Sequence, residues 1–362
     1  MFWSILIFIA VLSILVIVHE LGHFLVAKKN GILVEEFGFG LPPRVFGKKI
    51  GETLYSLNLL PFGGFVKLYG ELNDNGVTNK NRAFLYKSKK VKTAVIIAGV
   101  IMNFLLGIVA FAIVYSFSGI PKETGEVKIL EISTNSPAQT AKLLVGDVIK
   151  KVDKEDVESV SEFVSLVEGK KGKKTIFELQ DRKVTITPRS NPPEGEGPLG
   201  ITISSSEVYF PPVWQRPFYG AYYGLKEAIF WGKNVILGFG NIFKDLFQGR
   251  TPQDISGPVG VFAVTSETAK AGILPLINLL GIISVNLAIL NILPFPALDG
   301  GRLMFIFIEG IIGRKVIPKV ETIIHSIGMI ILMILILAIT IHDIQGLISA
   351  GSISAFLNNM IK

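Results

Sequence analysis

The chain has 362 residues, 49% of them hydrophobic, with a mean hydropathy of +0.52. That is too apolar for an ordinary water-soluble protein and long enough for two or three domains. It has no cysteine, which excludes disulfides, thiolate metal ligands and a cysteine nucleophile. The net charge of +7 sits in residues 28–92, where twelve Lys/Arg face five Asp/Glu; a basic block between apolar segments follows the positive-inside rule, so nucleic acid is not an expected partner.

Residues 1–27 are apolar apart from His19, Glu20 and His23. The stretch lacks the basic start and short apolar core of a secretory signal and predicts a membrane helix. Within it stands His19-Glu20-Leu21-Gly22-His23, using two of the four histidines in the chain. On a helix this spacing puts both imidazoles on one face, a turn apart. Two such rings can grip one Zn²⁺ while the intervening carboxylate handles protons. Ionisable groups in a membrane helix are costly and point to function by default.

In the basic segment, Gly38-Phe39-Gly40-Leu41-Pro42-Pro43 and Leu60-Pro61-Phe62-Gly63-Gly64-Phe65-Val66 are apolar and turn-rich. They predict short strands in a hairpin. Such backbone is tolerated at membrane depth only when buried in protein or lining a wet cavity; a surface hairpin is the alternative. Residues 93–118 carry no charge and predict a second membrane helix.

Residues 124–206 change character, with short strands over Val127–Ile132, Val148–Val152, Thr175–Leu179 and Lys183–Thr187, and two short helices between them. This predicts a small soluble α+β domain. Pro211, Pro212 and Pro217 mark a linker. Residues 218–247 are aromatic and apolar but carry Lys226, Glu227, Lys233, Lys244 and Asp245. They predict one or two amphipathic helices on the outer membrane surface, with a fifth spanning helix as the competing reading. Residues 276–298 predict a third membrane helix, broken near its end by Pro294 and Pro296, and residues 322–341 a fourth, uncharged except for His325.

The expected fold is therefore a polytopic α-helical membrane protein with four transmembrane helices, membrane-associated β-hairpin loops and one small extracytoplasmic domain. The divisions are 1–118, 119–210, 211–275 and 276–362. Arg302, Arg314, Lys315 and Lys319 place residues 301–321 in the cytoplasm with residues 28–92, leaving both termini and the small domain outside.

Two histidines do not complete a zinc site, since a catalytic zinc takes three protein ligands and keeps one position open. His325 and His342 are the remaining histidines. An acidic residue beside an apolar segment is the better candidate, and Asp299 stands out at the end of the third membrane helix. The prolines there free backbone groups, and Gly300 and Gly301 permit close backbone approach. The alternative is a helix-end carboxylate facing the cytoplasm.

His19 to His23 in a first membrane helix, with Asn291 through Pro294 and Pro296 to Leu298-Asp299-Gly300-Gly301 in a late one, resembles the site-2 protease family of intramembrane zinc metalloproteases. The likeness is to its bacterial RseP/RasP-type branch and covers nearly the whole chain. Further matches are Gly38-Phe39-Gly40, Pro61 to Lys67, Ala98-Gly99 with Asn103, and Ile255-Ser256-Gly257-Pro258-Val259-Gly260. The resemblance implies His19, His23 and Asp299 as zinc ligands and Glu20 as general base. It also implies that Asn291, Pro294 and Pro296 hold the substrate backbone, with Gly63, Gly64 and Phe65 in a hairpin that offers an edge strand. Asn135-Ser136-Pro137-Ala138 and Gly146-Asp147-Val148-Ile149 resemble a single PDZ domain. Lys142 stands where a typical member has glycine, which bears on the turn at that point.

The implied function is hydrolysis of peptide bonds within single-span membrane proteins, such as anti-sigma factors or remnant signal peptides, in a bacterial cytoplasmic membrane. The implied cofactor is Zn²⁺, and the implied partners are transmembrane substrates, the lipid bilayer and an extracytoplasmic peptide tail at the PDZ-like domain. A non-enzymatic scaffold that only binds peptide tails is the alternative, and a metal transporter the third reading.

Overall fold

A computed structural model of the chain describes residues 2–71, 76–193, 195–250, 257–313 and 318–360. Ile255, Ser256, Arg314 and Lys315 lie outside the described residues. The chain divides into two compact units, Met1–Phe117 with Pro217–Lys362, and Ser118–Arg216.

The first unit is helical. Helix α1 (Phe2–Lys29) is apolar on all sides, so its hydrophobic surface has no preferred face. It ends where Asn30 bonds back to the Val26 carbonyl and Gly31 takes φ +67°. Helix α2 (Lys89–Ser118) runs antiparallel against α1. The two backbones nearly touch, since a Cβ on Gly22 would stand 2.3 Å from the Ala98 carbonyl oxygen. Between them, strands β1 (Val34–Ile50) and β2 (Thr53–Leu68) pair with each other. Arg44–Ile50 and Thr53–Asn58 form a hairpin around Gly51. Glu36–Phe39 pairs on both sides, with Leu54–Leu57 and with Gly64–Lys67. The expected short strands are thus two long ones folded over each other, bent at Gly40 and Gly63, both at positive φ.

Among the described residues, four helices are long and apolar enough to cross a membrane: α1, α2, α7 (Ile273–Ile292) and α9 (Pro318–Ala350), the last over Val320–Ala350. At 1.5 Å per residue, about 20 residues span the hydrocarbon core. The third ends earlier than expected, at Ile292, because Leu293 precedes a proline and must be extended. After a non-helical turn, Asp299 opens helix α8 (Asp299–Ile312) rather than closing α7.

Helices α5 (Arg216–Phe247) and α6 (Pro258–Ala271) precede α7. The expected surface helices are one continuous α5 that packs lengthwise on α2. Gly220, Gly224, Ala228 and Gly232 recur every four residues, and Cβ atoms on Gly220 and Gly224 would meet the carbonyl oxygens of Ala112 and Ile108. Small residues at this spacing let helices approach closely in lipid. The charge at Glu227 is met by Tyr115 Oη and Trp231 Nε1 at 2.9 and 3.0 Å. Helix α6 runs back along α1, with Phe262 against Phe8 and Ser266 bonded to Ser4. Asp343 of α9 is 2% exposed and accepts the Gly257 and Gly260 amides at 3.0 and 2.9 Å, capping α6. Helix α10 (Ile353–Met360) closes the chain.

The second unit is a twisted sheet with two helices. Its elements are β3 (Ile120–Ile132), α3 (Pro137–Thr140), β4 (Val148–Val152), β5 (Glu155–Asp156), α4 (Val160–Gly169), β6 (Thr175–Leu179), β7 (Lys183–Ile186) and β8 (Ile201–Tyr209). The strand order is β7-β6-β4-β3-β8, with β5 on β4. Val127, Ile129, Ile149, Phe163, Phe177 and Leu199 anchor its core. Ser136 and Ser159 cap the two helices through the amides of Gln139 and Glu162. Lys142 takes φ +58°, the left-handed conformation a glycine would supply, so the turn persists without the glycine.

Candidate metal centre

Helix α1 presents His19 and His23 one turn apart, with ring planes at 86° and centroids 4.8 Å apart. Gly99 of α2 lies directly behind them. A Cβ there would stand 2.5 Å from His23 Nε2 and 2.7 Å from His19 Cε1, so only glycine leaves room for both rings.

Asp299 is delivered by the turn after α7. Pro294 and Pro296 withdraw two amides, and Ala297 adopts φ +85°, which costs an L-residue roughly 1–2 kcal/mol. The neighbours hold this turn in place. The Ala297 amide donates to His325 Nδ1 at 3.0 Å, and Gly328 of α9 leaves room for Pro296. Gly300 and Gly301 sit against the carbonyls of Leu293 and Phe295, closer than any Cβ permits.

The result brings three donor atoms together. His19 Nε2 and His23 Nε2 are 3.2 Å apart and lie 3.2 and 3.3 Å from Asp299 Oδ2. A tetrahedral centre with bonds of about 2.0–2.1 Å separates its ligand atoms by about 3.3 Å, so these spacings fit zinc. The proton positions agree. His23 Nδ1 lies 2.8 Å from the Val95 carbonyl, which can only accept, so Nδ1 carries the hydrogen and Nε2 presents a lone pair. Asp299 Oδ2 is buried without a conventional hydrogen-bond partner. With their Nε2 atoms free of protons, the two imidazoles and the carboxylate could hold a cation between them.

Glu20, Phe65 and Val66 line the same cavity of about 200 Å³, with Arg302 and Glu71 on its wall. Gly64 packs against α1, where a Cβ would stand 3.1 Å from Val16 Cγ1 and 3.5 Å from Glu20 Cγ. Phe65 covers Gly38. Among the described residues, the Gly64–Lys67 run pairs only with Glu36–Phe39 and leaves its other edge free of any strand. Gly63 supplies the bend before it at φ +82°. Asn291, Pro294 and Pro296 are not on the cavity wall, and Pro296 packs on Gly328. Neither His325 nor His342 joins the metal cluster.

Several neighbours escaped sequence reasoning. The ion pair between Arg302 and Glu71 ties the first turn of α8 to the turn that follows β2. Gly99 and Asn103, noted only as family matches, prove to be the wall behind the histidines, with Asn103 Nδ2 3.4 Å from His19 Nδ1. Their four-residue spacing along α2, matching that of His19 and His23, was the available signal once antiparallel packing was assumed.

A zinc-competent cluster carried by helices that can cross a membrane defines an intramembrane zinc metalloprotease of the site-2 type. The model for Peptidase family M50 matches residues 7–335, and the chain belongs to that family. It is 31% identical over 423 aligned residues to zinc metalloprotease RasP of Geobacillus kaustophilus, covering 94% of this chain and 98% of that one. It is 29% identical over 427 residues to the regulator of sigma-W protease RasP of Bacillus subtilis, covering 95% and 99%. A Clostridium acetobutylicum relative, provisionally named a zinc metalloprotease, is 36% identical over 348 residues, covering 95% and 98%. The protein is thus a zinc-dependent bacterial membrane protease that acts on membrane proteins.

Proposed function

We propose that His19, His23 and Asp299 hold the zinc, that Glu20 is the general base, and that the free edge of Gly64–Lys67 receives the substrate as an added strand. The separation of the three donor atoms, 3.2–3.3 Å, carries the assignment of the ligands. When bound, zinc supplies Lewis-acid polarisation of the scissile carbonyl and acidifies water. Glu20 takes the proton from the attacking water and delivers it to the departing amine. A transmembrane helix keeps its carbonyls in internal hydrogen bonds and resists attack until it unwinds. Pairing with the β2 edge replaces the lost bonds, and that edge lies against Glu20. Gly63, Gly64 and Phe65 then position the extended substrate, while Asn291, Pro294 and Pro296 lie off the cavity wall and are given no part in holding it.

The basic segment 28–92 supports a cytoplasmic side for the loops, with termini and second unit outside. The second unit, with its capped α3 and the Lys142 turn, supports a PDZ-like domain that captures an extended extracytoplasmic tail. Anti-sigma factors or remnant signal peptides, each a single span, suit such a site.

Glu20→Gln tests the core of this reading. The variant should retain zinc and lose cleavage of a model single-span substrate by at least about a hundredfold, the scale of general-base catalysis. Wild-type cleavage by it would remove Glu20 from the mechanism.

A further inference from the structure

We propose that Asn103 is a positioning residue for the metal centre, turning its amide oxygen to His19 so that the Nε2 lone pair faces the zinc. The inference rests on the reading of His19 as a ligand and goes beyond it by assigning what sets that ligand's tautomer.

Asn103 lies in the middle of α2 and is 1% exposed. A fully buried amide inside a membrane helix is costly unless its groups are matched. Its backbone carbonyl accepts a 2.7 Å hydrogen bond from Ser284 Oγ of α7, which fixes its height between α1 and α7. Among the described residues its side chain reaches only His19, with Nδ2 3.4 Å from Nδ1, while Oδ1 is buried without a partner. In that orientation the amide donates to a lone pair on Nδ1. The ring proton must then sit on Nε2, the atom that faces Asp299, and no lone pair is left there for a metal.

A half-turn of the amide exchanges the two atoms. Oδ1 then accepts from Nδ1–H, and Nε2 presents its lone pair. His19 would thus be held as His23 already is, whose Nδ1 lies 2.8 Å from the Val95 carbonyl. Metal-bound histidines generally need such an acceptor on the second nitrogen. α2 supplies both, from the Val95 backbone and the Asn103 side chain, two turns apart. The geometry leaves no other group to do it for His19 among the described hydrogen bonds.

The test uses the full chain purified in detergent, with zinc content and zinc release to a competing chelator as readouts. Asn103→Leu keeps the volume and removes the acceptor; it should bind zinc about 10–100-fold more weakly. Asn103→Asp offers only acceptor oxygens and should hold zinc at least as tightly as wild type. His19→Ala is the reference for a lost ligand. Wild-type zinc affinity in Asn103→Leu, with zinc lost in His19→Ala, overturns the role of Asn103 alone. Zinc lost equally in the Leu and Asp variants also overturns it, by showing a packing role. Zinc retained in His19→Ala overturns the ligand assignment beneath it. Should Asn103→Leu not fold, the Asp variant decides, since weakened zinc binding there contradicts the proposal.

Discussion

At Gly99 a single hydrogen in place of a side chain decides whether two imidazoles can share one centre. Gly99→Ala should weaken zinc binding by about tenfold or more, the scale seen when groups that orient metal ligands are disturbed, with the chain still folded. Chelator competition on the purified protein checks this, and unchanged affinity would count against the packing argument. Lys142 presents the opposite case, a side chain where glycine would be easier. Its left-handed backbone costs roughly 1–2 kcal/mol, and glycine's extra freedom in the unfolded chain returns about 0.5–1 kcal/mol. Lys142→Gly should therefore stabilise the second unit by about 1 kcal/mol, read as slower exchange of the Leu143 amide, which bonds to Ala138. The His19–His23 pair was legible because its partners are neighbours along one helix. Asp299 was legible as a carboxylate beside a broken apolar segment. Gly99, Asn103 and His325 were not, because their work is done across helices, and linear spacing carries no record of which faces meet.

Among the elements, α1, α2, α7 and α9 were plain from hydropathy alone, since a bilayer demands a long uncharged run. Helix α5 was harder. Its charges suggested an interface, but Glu227 is matched by Tyr115 and Trp231, and the small-residue stripe turns it against α2. Composition reports how many charges a helix has and not whether they are satisfied. The motif around Gly257 and Gly260 likewise gains its meaning from an element far along the chain, the Asp343 carboxylate of α9. Asp343→Ala should leave two buried amides without an acceptor and loosen α6 by about 1–2 kcal/mol, the usual worth of a lost cap. Faster hydrogen exchange confined to the first turn of α6 is the expected outcome, and unchanged protection would rule out the cap.

On the scale of the whole molecule, the candidate metal centre lies within one of two units, and the chain passes from one unit to the other only twice. The second unit begins and ends in β3 and β8, where Ile120 and Tyr209 are paired. Replacing residues 122–207 by a short Gly/Ser turn should therefore leave zinc content unchanged, because the closure between the two strands is already short. Loss of zinc in that shortened chain would show that the membrane unit depends on the second one. The pairing has a wider consequence. A graft whose two ends arrive side by side makes no demand on the spacing of its host, so selection can lengthen, swap or discard what lies beyond Ile120 and Tyr209 while the metal centre stays as it is. The stem serves as a socket, and what is carried on it can change without any change in the part that holds the metal-binding cluster.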